Sequence, residues 1–366
     1  MARKLKSDKV LFIATILLVC ASVVMVYSAS ANAALEKYDD PYYFLVRQGL
    51  WSVLGVAVLS IVMRIDYRTY KNEALIWALL GVVGILLVGA LRSDSVNGAS
   101  RWVGFSILKI QPSEFAKLAC ILFTALILER RMHRINDLSY SLLPIAIVTA
   151  VLAGLIAIEP DAGTAMSLMA IVAAMVFVAG LSYRYIVGIA AVAIPILFTW
   201  VMAEDYRRER VSAFFDPWSD RHDTGFQAVQ SFIAVGSGGW LGRGFNESVQ
   251  KMLFLPEPHN DFIYAVIGEE LGLIGTTAVL ACFCVIAWRG LHIASKAEDR
   301  FGSMVALGVT AMIVVQAFVN MSVVIGLLPT KGITLPLVSN GGSSLLASLI
   351  GIGILLNISQ HEAADA

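Results

Sequence analysis

The chain is 366 residues long, 58% hydrophobic and only 15% charged, with a mean hydropathy of +0.76, where a soluble domain carries about 25% charged residues. Lys+Arg and Asp+Glu both number 27, so the basic excess that a nucleic-acid footprint needs is missing. These values exclude an ordinary soluble enzyme and describe an all-α polytopic membrane protein, because a bilayer accepts apolar surface that a water-soluble fold has no means to hide.

A helix that crosses a bilayer needs about 20 apolar residues. Ten candidate runs fall near residues 10 to 27, 46 to 63, 74 to 91, 113 to 128, 142 to 158, 162 to 181, 185 to 203, 271 to 288, 302 to 325 and 342 to 358. The first follows a basic segment and precedes Ala29-Ser30-Ala31 and Ala31-Asn32-Ala33, which fit a cleavable signal peptide. Its 18-residue core exceeds a usual signal core, so a retained helix is expected. The second run opens at Arg47 and the fourth contains Glu114 and Lys117; a bundle interior hosts polar residues that lipid does not. Between the seventh and eighth runs lies a long segment, about 204 to 270, in which Phe226, Val229, Phe232 and Ile233 recur near helical spacing and predict a helix over 226 to 235, a packed loop helix ahead of an interfacial or re-entrant one.

No tandem repeat, low-complexity tract or second soluble domain interrupts this pattern, so residues 1 to 366 read as one integral membrane domain. With the N-terminus inside, the inner segments hold 14 Lys/Arg and the short outer loops six, which predicts cytoplasmic termini and an outer segment 204 to 270. Cys20, Cys120, Cys282 and Cys284 all lie in apolar runs, where a thiol behaves as a small hydrophobe, and neither disulfides nor a zinc site is expected.

Polar residues gather at the predicted outer ends. The fourth helix opens Gln111-Pro112-Ser113-Glu114-Phe115-Ala116-Lys117; Pro suits the first turn and Glu114 the positive end of the helix dipole. Glu114 and Lys117 are three apart, hence on one face, and a pair between them is expected, with a structural ion pair and a substrate role equally open. Asp161, in Glu159-Pro160-Asp161, is placed to cap the sixth helix or to act on substrate. Ser339-Asn340-Gly341-Gly342-Ser343-Ser344 opens the tenth, where small residues serve either close packing or an anion at the helix N-terminus.

In the long segment, Arg207, Arg208 and Arg210 suit lipid phosphates or headgroup anchoring. The run Leu255-Pro256-Glu257-Pro258-His259-Asn260-Asp261-Phe262 lies just ahead of the eighth helix, whose apparent start carries Glu269 and Glu270. A carboxylate beside Phe262 and Ile263 suits a general base of raised pKa, whereas Glu257, His259 and Asp261 do not form a recognised metal-ligand pattern. These residues describe an outward-facing polar cavity for an anionic or lipid-linked substrate. A transporter should show paired broken helices near the midplane; clustering at one face favours a reaction there.

The same segments resemble the SEDS family of bacterial cell-wall proteins. The likeness runs from about Asn97 to Ile350 and includes Asn97-Gly98-Ala99-Ser100-Arg101-Trp102, Gln111 to Leu118, Glu159 to Thr164, Arg207 to Arg210, Leu255-Pro256-Glu257 with His259 and Asp261-Phe262, Gly268 to Gly272, and Gly341 to Ser344. Leu328-Pro329-Thr330-Lys331-Gly332-Ile333-Thr334-Leu335-Pro336 looks like the FtsW branch, since RodA members usually lack the Thr-Lys pair. Asn260 stands where Thr is common and Asn340 where Tyr is common.

The resemblance implies a peptidoglycan glycosyltransferase of the cytoplasmic membrane that polymerises lipid II outside during division. It implies work with a class B penicillin-binding transpeptidase and other division proteins. Asp261 matches the family's essential aspartate, the expected base for the acceptor sugar's 4-hydroxyl. Arg207, Arg208, Arg210, Lys117 or a divalent cation (Mg or Mn) would stabilise the leaving polyprenyl diphosphate. Arg101, Trp102, Glu114, Asp161, His259, Lys331 and Ser343 are the further expected substrate contacts. Translocation of lipid II and a non-catalytic scaffold are the alternative functions.

Overall fold

The computed structural model describes residues 7–92, 101–104, 109–219, 225–253, 255–330 and 332–361. Thirteen α-helices lie among them: α1 Lys9–Tyr38, α2 Tyr43–Val62, α3 Glu73–Ala90, α4 Pro112–Arg131, α5 Leu143–Ile158, α6 Ala162–Val178, α7 Tyr183–Met202, α8 Asp205–Phe215, α9 Phe226–Gly238, α10 Gln250–Leu253, α11 Ile263–Lys296, α12 Arg300–Val324 and α13 Gly342–Ile358. Their starts follow local chemistry. Asp8, Asn72, Asp161 and Asp299 accept backbone N–H groups of the first turns of α1, α3, α6 and α12, and Pro opens α4 and α5.

The ten expected spans correspond to α1–α7 and α11–α13. Seven of the described helical stretches are long and apolar enough to cross a membrane, and α6 is a shorter apolar helix. In α12 and α13, 67% and 83% of the apolar window is buried, against 28–44% in the other five. α12 and α13 therefore form the inside of the bundle with α4, whose buried face includes Glu114 and Lys117, while the others turn apolar side chains outward, as lipid contact requires.

One end of the bundle is tied together by charge. Arg289 Nε meets Asp8 Oδ2 at 2.6 Å, Asp8 N donates to Ser359 Oγ at 3.1 Å, Tyr67 OH donates to Asp299 Oδ1 at 2.9 Å, and Lys71 pairs with Glu129 at 2.5 Å. Arg130 also pairs with Glu73. These contacts join the start of α1, the α2–α3 loop, the end of α4, the α11–α12 loop and the end of α13. They share one end only if α1 to α4 alternate in direction and α12 and α13 run opposite ways.

Two elements differ from expectation in length or shape. α1 runs to Tyr38 rather than to 27, so both candidate cleavage sequences lie inside the helix, with Ala29 and Ser30 buried. The eighth span does not start at 271. α11 begins at Ile263 and breaks at Gly272, where φ is 65° and ψ −158°. Tyr264 OH donates to Thr276 O at 3.2 Å, although twelve residues of straight helix span about 18 Å. The half-helix Ile263–Leu271 therefore folds back on the remainder of α11. Gly272 is required twice: it supplies the positive φ, and a Cβ there would lie 2.3 Å from Gly242 N. The loop helix expected over 226 to 235 is α9, ending at Gly238, whose missing Cβ admits the Gly268 carbonyl.

Candidate active site

At the end opposite the charged tie, the segment after α12 crosses the mouth of the bundle, and polar side chains from three directions converge on it. Asp261 lies just before the half-helix, partly exposed, with Oδ2 only 3.2 Å from where Gly332 would carry a Cβ. Any larger residue at 332 would press on the carboxylate. Asn320 of α12 donates from Nδ2 to the Asp261 carbonyl at 2.8 Å and to the Ile333 carbonyl at 2.7 Å. Ser339 Oγ donates to the Asn260 carbonyl at 2.6 Å and accepts Leu335 N at 2.8 Å. Asn340 N donates to the His259 carbonyl at 2.9 Å. The backbone on both sides of Asp261 is thereby fixed.

Beneath this layer, Lys117 is 1% and Glu114 5% exposed. Lys117 Nζ donates to Glu114 Oε1 at 2.9 Å and to Gln316 Oε1 at 2.6 Å, and Gln316 Nε2 reaches the Thr334 carbonyl at 3.2 Å. The expected pair is present, and its ammonium is engaged with the interior. Ser343, at the start of α13, is fully buried and its hydroxyl finds no partner among the described residues, while Ser344 Oγ and Thr334 Oγ1 are 3.5 Å apart.

On the third side, Asp161 accepts Thr164 N at 3.1 Å, Thr164 Oγ1 at 2.8 Å and Gln111 Nε2 at 3.1 Å. It caps α6 and joins it to α4, and Gly163 leaves room for Ile333 against that cap. Arg101 donates to the carbonyls of Glu159 and Pro160; Trp102 is half-buried beside it in sequence. Glu159 is wholly buried and neither carboxyl oxygen has a partner among the described residues. Burial, reinforced by Asp161 and opposed by Arg101, pushes its carboxyl up to about 8, so it keeps its proton at neutral pH.

His259 is buried, its ring tilted 41° against that of Phe44 with centroids 4.4 Å apart, and its Nε2 is 3.5 Å from Glu257 Oε2. Burial, with Lys37 adding to it, pulls His259 down to about 4. A neutral imidazole in the fold against one that binds a proton at 6.5 when unfolded gives stability that is complete above about pH 6.5 and is lost as pH falls toward 4, by up to about 3 kcal/mol. The unfolding midpoint of the protein should drop over that window, and His259→Gln should lack that part of the drop; an identical pH dependence in the two proteins would contradict it.

Arg208 is exposed on α8. The side chains of Arg207 and Arg210, Lys331, and the Asn97–Ser100 part of the first motif lie outside the described residues. An apolar cavity of about 190 Å³ between α8, α9 and the segment after α12, lined by Phe214, Phe232, Leu328 and Pro329, holds none of the expected site residues. Among the described residues, no three His, Cys, Asp or Glu side chains cluster to hold a metal. A divalent cation that accompanied a diphosphate would be held mainly by phosphate oxygens, as Mg²⁺ commonly is.

Sequence reading missed Gln316 and Asn320, and it quoted Ser339 and Glu159 within motifs without giving either a role of its own. The first two were signalled by their i,i+4 spacing in an apolar span, which places both amides on one helix face.

Comparison with known proteins agrees along the whole chain. The probable peptidoglycan glycosyltransferase FtsW of Geobacter metallireducens is 44% identical over 354 residues, 96% of this chain and 94% of the relative. Stage V sporulation protein E of Bacillus subtilis is 39% identical over 365 residues, 98% and 99% of the two chains. Among solved structures, a chain from a study of the structural coordination of polymerization and crosslinking by a peptidoglycan synthase complex superposes with a TM-score of 0.80 at 29% identity, covering 99% and 100% of the two chains. The rod shape determining protein RodA of Thermus thermophilus superposes with a TM-score of 0.71 at 27% identity, covering 99% of each. The family model for cell cycle proteins of the FtsW, RodA and SpoVE type matches residues 8–364, and the chain belongs to that family.

Proposed function

We propose that this protein is a peptidoglycan glycosyltransferase that polymerises lipid II at the outer face of the cytoplasmic membrane during cell division. The observation that carries the reading is Asp261: a partly exposed carboxylate at the mouth of a buried polar core, its flanking backbone clamped by Asn320 and Ser339, in a chain whose relatives bear that activity in their names. Asp261 takes the proton from the acceptor sugar's 4-hydroxyl. The freed oxygen attacks the donor's anomeric carbon, the bond to the polyprenyl diphosphate breaks, and the β-1,4 linkage forms with inversion. Arg101, Trp102, Arg207, Arg208, Arg210 and Lys331 bind the sugars or the diphosphate, Ser343 lies too deep to touch them, and neutral Glu159 spares that anion a repelling charge. Lys117 and Glu114 neutralise one another and support the Thr334 segment through Gln316. A divalent cation, Mg or Mn, would share the leaving group's charge.

The partner is a class B penicillin-binding transpeptidase at the division site, in keeping with the synthase complex to which the fold is similar. Purified protein with lipid II, alone and with that partner, should yield glycan strands; none from either would overturn the reading.

Both termini are cytoplasmic and the segment 204 to 270 is outside, from the bias of 14 to six basic residues. In a Cys-free background, a membrane-impermeant thiol reagent should modify Ser219→Cys in intact cells and spare Ser295→Cys. The reverse pattern would invert the topology.

A further inference from the structure

The half-helix Ile263–Leu271 carries Asp261 just ahead of one end and a second, unassigned polar cluster at the other. Every residue from Phe262 to Glu270 is buried, and Glu269 and Glu270, just before the break at Gly272, are both 0% exposed. Glu270 accepts Ser28 Oγ of α1 at 2.6 Å and Lys251 Nζ at 2.6 Å. Lys251, 5% exposed, also donates to Ser28 Oγ at 3.0 Å and Asn246 Oδ1 at 2.8 Å. Glu269 accepts Ser248 Oγ at 2.6 Å and Val249 N at 3.1 Å, with Arg243 Nη1 at 3.4 Å. Four charged groups thus join α1, the 243–251 segment that runs into α10, and the half-helix.

Stability alone is a weak reason for such a cluster, because well-packed apolar residues often replace a buried ion pair without loss, and in some proteins a fully bonded buried polar group fixes a unique position. We propose that Lys251, Glu270 and Ser28, with Glu269, form a lock that sets the position of Asp261 by fixing the far end of the helix that carries it. These are positioning residues, and the proposal rests on the reading of Asp261 as the base. Nine residues of helix span about 13 Å, so a tilt of about 5° at the Gly272 end shifts the other end by about 1 Å. A shift of that size costs about 10²-fold in rate when a reacting group is displaced.

The test compares wild type, Lys251→Met, the neutral double variant Lys251→Met/Glu270→Gln and Ser28→Ala. Lys251→Met should lower kcat for lipid II polymerisation by about tenfold or more with KM within about twofold, and the double variant, which lacks the pair but leaves no buried charge alone, should regain stability while kcat stays low. In a Cys-free background with Asn260→Cys, the rate of maleimide modification should change severalfold on Lys251→Met and stay changed in the double variant. Unchanged kcat, a fall that the double variant relieves along with stability, or a change confined to KM would overturn the lock. Should Lys251→Met fail to fold, Ser28→Ala decides: a severalfold fall in kcat supports the lock and wild-type kcat overturns it. If the wild-type protein makes no glycan, the base assignment fails by itself, and the thiol rates still decide whether the lock positions this segment.

Discussion

Glu114→Gln and Lys117→Met should each destabilise the protein by about 3–5 kcal/mol, the usual cost of leaving one member of a buried ion pair without its partner. Both side chains lie in the interior on one face of α4, where neither water nor lipid headgroups screen the survivor. Lys117→Met also strips Gln316 Oε1 of its donor, so the Thr334 contact loosens and polymerisation falls along with stability. The double variant Glu114→Gln/Lys117→Met removes both charges and should be less damaging than the sum of the single changes. Denaturant unfolding in mixed micelles, run on all four proteins, reads the coupling. Single effects that simply add would show that the two charges do not stabilise one another.

That pair was legible from sequence because an i,i+3 spacing in a helix leaves little choice of partner, and the ten helices were legible because long apolar runs have few other fates, seven of them long and apolar enough to cross a membrane. The clamp on Asp261 was not. Asn320 and Gln316 sit among apolar residues of α12, and what they bond to, the carbonyls of Asp261, Ile333 and Thr334, is set by the path of the segment after that helix. The break in α11 was hidden for a related reason. Glycine is common in membrane helices, and only the approach of Gly242 and Trp240 shows why the one at 272 must adopt a positive φ. The Lys251–Glu270–Ser28 cluster joins residues 19 and 242 apart in sequence, beyond the reach of any local pattern. Glu159 was overlooked because its neighbour Asp161 has a ready role as a cap; burial, a tertiary property, is what sets Glu159 apart.

Asp261→Asn should nearly abolish polymerisation while leaving fold and partner binding intact. A sugar hydroxyl is a poor nucleophile at neutral pH, and a positioned general base contributes about 10²- to 10⁴-fold. The amide is nearly isosteric with the carboxylate and the bonds at this residue's carbonyl do not involve its side chain, so the clamp from Asn320 persists. What is lost is the capacity to accept the proton. Asp261→Glu retains a trace only if the longer side chain still reaches the hydroxyl beside Gly332, where the space is tight.

The decisive measurement is lipid II polymerisation by purified wild type and Asp261→Asn, each with the transpeptidase partner, resolved as glycan chains on a gel after matched expression, unfolding midpoint and complex formation. With Asp261 as the base, the wild type gives a ladder of strands and the variant loses about 10²-fold or more. Wild-type strand formation by a well-folded Asp261→Asn protein would contradict the assignment of the base, and a wild-type complex that makes no glycan yet moves lipid II across vesicles would put translocation in place of polymerisation.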